Sequence, residues 1–99
     1  MSEKLHSEEL ASRAAAGDAE AFRALLTLHY DRVFRVVYSV VQNQSDAEDI
    51  TQEIWAGLPA KLRNWRGDAK VTSWLHRIAV NAAKDSLQRS ASRTRIRVG

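Results

Sequence analysis

Cysteine is absent from the 99 residues. That rules out a disulfide framework and a thiolate metal site, and makes a reducing, cytoplasmic setting the default expectation. Four glycines and one proline supply too few turns for a many-stranded fold, which favours helices. The apolar runs are only a few residues long, so nothing reads as a membrane span, and the start lacks a basic stretch followed by an apolar signal segment. The chain has no internal repeat and no glycine-rich phosphate loop. Histidine is confined to His6, His29 and His76, scattered along the chain, and Thr27 and Ser39 have no identifiable base and orienter for a nucleophilic triad. No enzyme, no cofactor and no metal site is expected.

What is present is a chain 44% hydrophobic and 27% charged, the balance of a folded domain rather than a disordered one. Its length allows one small core. The net charge of +3 conceals a split. Residues 1–60 hold five bases and ten acids, a balance of −5, whereas residues 61–99 hold ten bases and two acids, a balance of +8. Two readings follow from the split. Either the chain has two partners of opposite charge, a polyanion for the C-terminal part and a basic surface for the N-terminal part, or the two parts fold together and partly cancel.

Four helical segments can be read. The first spans about Ser7 to Ala16 and stops at Gly17, a residue suited to a left-handed C-terminus. Asp18 then caps a second helix running to about Gln42. Its apolar face is Phe22, Leu25, Leu26, His29, Val33, Val36, Val37, Val40 and Val41, at spacings of three and four. The stretch "VFRVVYSVV" is rich in β-branched residues and resembles a strand, but segment length and the upstream period favour helix. The third helix begins in "NQSDAEDI", where Ser45 and Glu48 have capping-box spacing. Ala47, Ile50, Ile54 and Leu58 form its stripe, and Gly57 and Pro59 weaken or kink it. The fourth spans about Val71 to Arg89, with Val71, Leu75, Ile78 and Ala82 inward. The predicted fold is all-α, a compact bundle of about four helices with a loop before the last. Residues 1–90 form the domain, and residues 91–99, "ASRTRIRVG", a basic tail or the start of a linker.

Two constellations stand out. Asp46, Glu48, Asp49 and Glu53, with Gln52 among them, crowd the third helix. Acids at a helix N-terminus are stabilised by the macrodipole, yet Asp46, Asp49 and Glu53 share one face and exceed what capping requires. A metal reading needs histidine partners, which the segment lacks. On the fourth helix Arg77, Asn81, Lys84 and Gln88 form one polar stripe opposite the core. Cations suit phosphates and amides suit base edges; the bland reading is a solvated outer face. The stretch "NWRGDAK", Asn64 to Lys70, lies directly before that helix, and aromatics interleaved with bases make the stacking platform expected for single-stranded nucleic acid.

In order and spacing, "GDAEAFRALLTLHYDRVFRVV", "SDAEDITQEIW" and "WRGDAKVTSWLHRIAVNAAKD" closely resemble the second conserved region of extracytoplasmic-function sigma factors, over about Glu8 to Arg89. These bacterial proteins direct RNA polymerase to stress-response promoters. The resemblance implies a helical domain with two binding faces. It assigns Asp46, Glu48, Asp49, Gln52 and Glu53 to docking on the β′ clamp helices of RNA polymerase, with Ile50 and Trp55 packing. It assigns Asn64, Trp65, Arg66, Gly67, Asp68, Ala69 and Lys70 of the loop, and Ser73, Trp74, Arg77, Asn81 and Lys84 of the fourth helix, to the non-template strand of the promoter −10 element, where a base is flipped out. Trp74 stands at the family's nearly constant tryptophan, a position of packing support or base contact. Lys70 stands where relatives often have serine, so a different helix cap is expected. Relatives also carry a helix-turn-helix domain that reads the −35 element, which the resemblance does not reach.

The implied function is promoter recognition and melting during transcription initiation, with an anti-sigma factor as a further partner and no membrane insertion. Opening five base-pair steps costs about 7 kcal/mol at roughly 1.4 per step, and one captured base returns only about 1–3 kcal/mol. The free domain is therefore expected to bind single strands weakly and to need the polymerase to melt duplex. The rival is a helical interaction module, binding an anti-sigma factor or acting as its decoy, that never touches DNA.

Overall fold

Four α-helices follow one another: α1 (Glu3–Ala15), α2 (Ala19–Val41), α3 (Gln44–Leu62) and α4 (Val71–Val98). The computed structural model describes residues 3–65, 67 and 70–98, and side chains among those from His6 to Ala91. No strand occurs among the described residues, in line with the shortage of turn residues.

The first two junctions follow from local chemistry. Gly17, at φ 104°, takes the left-handed conformation that stops α1. Asp18 caps α2 by accepting from the N–H groups of Glu20 and Ala21, while Arg13 reaches back to the same carboxylate at 2.9 Å. The Ala21 N–H bond, followed by that of Arg13, holds the Asp18 carboxyl below its ordinary value. The cap is therefore present at neutral pH and weakens as pH falls through the lowered folded-state value. Gln42 closes α2 in a left-handed conformation, φ 54°, with its N–H on the Tyr38 carbonyl.

The start of α3 differs from the expected capping box. Asn43 is the N-cap, extended at φ −143° and accepting from the Asp46 N–H at 2.9 Å; Ser45 lies one residue inside the helix. Asparagine caps as well as serine, and it follows directly on the left-handed turn at Gln42, so the helix begins earlier. At the far end α3 runs through Gly57 and Pro59 to Leu62. The fourth helix is also longer than expected, continuing past Arg89 to Val98. Nothing in that stretch breaks a helix, since neither glycine nor proline occurs before Gly99.

Helix α2 packs against all three others. It contributes Leu25, Val33 and Val37 to the core, so the β-branched stretch is helical because one of its faces is buried. Helix α3 adds Ile50, Ile54, Trp55, Leu58 and Leu62, and α1 adds Leu10 and Ala11. The buried line of α4 is Val71, Leu75, Ala79 and Ala83; Ile78 and Ala82, expected inward, are half-buried beside it. Trp55 meets Phe22 edge-on at 6.3 Å. His29 is 1% exposed, and its Nε2 shares a 2.7 Å hydrogen bond with Ser7 Oγ, which ties α1 to α2 inside the core.

Candidate nucleic-acid interface

Helix α3 presents its acids outward. Asp46, Glu48, Asp49, Gln52 and Glu53 are all exposed, whereas Ala47, Ile50, Thr51 and Ile54 between them are buried. Of the acids only Asp46 lies in the first turn. The macrodipole acts within that turn, so capping accounts for Asp46 but not for Asp49 or Glu53, which stand further along. Four residues apart on one face, Asp49 and Glu53 repel each other, a small cost to the isolated helix. Among the described residues none of these four carboxylates is in an ion pair.

The opposite charge lies on α4 and on the loop before it. Ser73, Arg77, Asn81, Lys84 and Gln88 are exposed, as are Asn64, Gly67 and Lys70. Gly67 takes φ 81°, so the turn in "WRGDAK" requires a residue without a Cβ. Arg66, Asp68 and Ala69 lie outside the described residues. Trp65 and Trp74 form a tilted pair, centroids 6.3 Å apart at 42°, and both are half-buried against the core. The loop is thereby anchored at both ends, by Trp65 after α3 and Trp74 in the first turn of α4.

Lys70 does not cap α4 with its side chain. Its carbonyl accepts the Trp74 N–H at 2.9 Å, while the Val71 N–H donates to the Glu8 carboxylate, at 3.1 Å to Oε1 and 3.2 Å to Oε2. A carboxylate from α1 thus satisfies the first N–H of α4, which the helix itself leaves without an acceptor, and places negative charge at a positive helix end. Sequence reading missed this, because no local pattern links residues 63 positions apart. Replacing Glu8 by alanine is expected to cost about 1 kcal/mol, as for loss of a helix N-cap. The effect should be concentrated at the start of α4, read as faster amide exchange at Val71 and its neighbours; unchanged exchange there would remove the capping role.

Asn81 lines an open groove between α2 and α4, of about 530 Å³, with Arg32, Thr72, Ser73, His76, Arg77 and Val80. The described lining of this groove includes neither Trp65 nor Trp74. Arg32 and His76 are the residues that sequence reading left out. Each alone is an unremarked polar position on its helix, and only the packing of α2 on α4 brings them together.

Residues 25–94 match the family model described as Sigma-70 region 2. The chain belongs to that family. Its curated relatives include the ECF RNA polymerase sigma-E factor of Escherichia coli, 37% identical over 88% of this chain and 45% of the relative. The ECF RNA polymerase sigma factor SigM of Mycobacterium tuberculosis is 37% identical over 83% of this chain and 42% of the relative. The RNA polymerase sigma-H factor of Pseudomonas aeruginosa is 32% identical over 81% of this chain and 42% of the relative. The chain thus spans less than half the length of these relatives. A solved structure of an engineered region 2 of sigmaE, in complex with GTAAAA, superposes with a TM-score of 0.82 at 33% identity, covering 94% of this chain and 97% of that one. The all-helical fold of this sigma-70 region 2 is therefore that of a solved relative, and among its described residues no helix is long and apolar enough to cross a membrane.

Proposed function

We propose that this sigma-70 region 2 recognises the promoter −10 element for RNA polymerase, without catalytic activity of its own, and acts beside the polymerase in the cytoplasm. The exposed acids of α3, Asp46, Glu48, Asp49 and Glu53 with Gln52, dock on the β′ clamp helices. The loop from Asn64 to Lys70 and the α4 residues Ser73, Trp74, Arg77, Asn81 and Lys84 take the non-template strand, and Trp65 and Trp74 brace the loop that receives the flipped base. An anti-sigma factor is the third partner, covering these faces when transcription is held off. The observation that carries the reading is the pair of outward faces of opposite charge on successive helices, α3 and α4. The relative's complex with GTAAAA supports the choice of ligand for the basic one.

The test uses single-stranded GTAAAA and the same strand substituted one base at a time. Arg77→Ala and Lys84→Ala are each expected to weaken binding about uniformly across these strands. Each should reduce the log–log salt slope by about 0.7, the value for one phosphate contact on a single strand. A slope unchanged in both variants would remove α4 from the strand interface and favour a module that binds only protein.

A further inference from the structure

The groove between α2 and α4 is lined by Arg32 from α2 and by Thr72, Ser73, His76, Arg77 and Asn81 from α4, over a floor that includes Val80. Two guanidiniums, two hydroxyls, an imidazole and an amide converge there, and the described lining contains no carboxylate. Such a set suits an anionic oxygen ligand, since guanidiniums give planar paired donors to phosphate and hydroxyls add neutral ones. At about 530 Å³ the groove holds the liquid volume of roughly eighteen waters, room for a stretch of backbone rather than one ion.

We propose that this groove is a second phosphate-binding site, in which Arg32 and His76 hold the sugar–phosphate backbone of the same strand whose bases meet α4. The inference rests on the strand-binding reading and extends it onto α2. Continuity argues for the strand as occupant. Ser73, Arg77 and Asn81 belong both to the proposed base-reading stripe and to the groove wall, so a strand crossing α4 at these residues runs along the groove that Arg32 also lines. The contact carries no base information, because backbone contacts fix register and orientation only.

The experiment compares the full chain with Arg32→Gln, Arg32→Lys and Asn81→Ala. Binding to single-stranded GTAAAA and to its one-base variants is measured between 50 and 200 mM salt. Arg32→Gln is expected to lower the salt slope by about 0.7, changing its affinity relative to the unaltered protein by about 2.6-fold across that range. Its ranking of the one-base variants should stay unchanged, and Arg32→Lys, a point charge that still binds phosphate, should restore the slope. Asn81→Ala should do the reverse, flattening base preference at an unaltered slope.

A slope unaffected by Arg32→Gln, with base preference still flattened by Asn81→Ala, overturns the groove and leaves the strand-binding reading standing. A slope lowered by Arg32→Gln in a protein without base preference keeps the groove as a polyanion site and overturns the sequence reading. Absence of any strand binding by the unaltered protein overturns both. A parallel nuclear magnetic resonance titration with inorganic phosphate separates the two phosphate sources. Saturation of the Arg32 and His76 signals by free phosphate, with strand binding indifferent to Arg32→Gln, would make the occupant a free anion and overturn the assignment.

Discussion

Reversing Asp49 and Glu53 together to lysine is expected to abolish binding to the β′ clamp helices and leave the helical content unchanged. Both side chains are exposed on α3 and lie beyond the first turn, so neither stabilises the helix through its dipole. Their mutual repulsion is only exchanged for that of two lysines. The fold therefore has little reason to respond. A complementary basic partner responds strongly, because each reversal replaces an attraction with a like-charge contact, which costs several kcal/mol across an interface. The measurement is binding of the double variant to a clamp-helix fragment, with circular dichroism as the control. Retained binding would show that the acids are only solvated; lost binding with lost helicity would void the assignment to a docking face.

The second large effect separates the tryptophans from Asn81, the proposed base reader. Trp55 is 4% exposed and packs edge-on against Phe22, so Trp55→Ala should cost about 3–5 kcal/mol, the usual loss for a truncated core aromatic. At about 4–8 °C per kcal/mol for a domain of this size, melting should fall by at least about 12 °C. Trp74 is half-buried beside Trp65, so Trp74→Ala should melt between that variant and the unaltered protein and lose some strand affinity through the loosened loop. Asn81 is exposed; Asn81→Ala should melt almost unchanged yet flatten discrimination at one base position by about 1–3 kcal/mol. Thermal melting is compared with binding to the one-base variants of GTAAAA. If Asn81→Ala unfolds the domain, or base preference survives it, the reader lies elsewhere.

Much of the fold was legible because it is written in local chemistry. Gly17 and Asp18 mark the first junction by backbone freedom and capping, and the face from Leu25 to Val37 is periodic over several turns. The start of α3 was displaced by two residues because Asn43 and Ser45 are equally competent caps, and only the left-handed turn at Gln42 selects between them. The inward line of α4 was read through Ile78 and Ala82, whereas small residues at Ala79 and Ala83 face the core. The acidic and basic faces were legible as charge at helical spacing. The bond from Glu8 to Val71 and the meeting of Arg32 with His76 were not. Both depend on how helices distant in sequence are docked, and neither leaves a periodic or compositional trace.

The Glu8 bond to Val71 also bears on the order in which the chain assembles. It joins positions 63 residues apart, and closing so long a loop costs entropy before any contact repays it. The helical turns of α2 and α3, which need only neighbours, can form first. The first turn of α4 then completes only after α1 has returned to meet it, which makes this contact a late one with a φ-value near zero. Glu8→Ala should accordingly speed unfolding and leave the folding rate nearly unchanged; a slowed folding limb in stopped-flow kinetics would place the contact in the nucleus instead. Late closure means that α4, the helix proposed to meet DNA, is finished by α1, so partial unfolding of α1 releases the start of α4 before the rest of the bundle gives way.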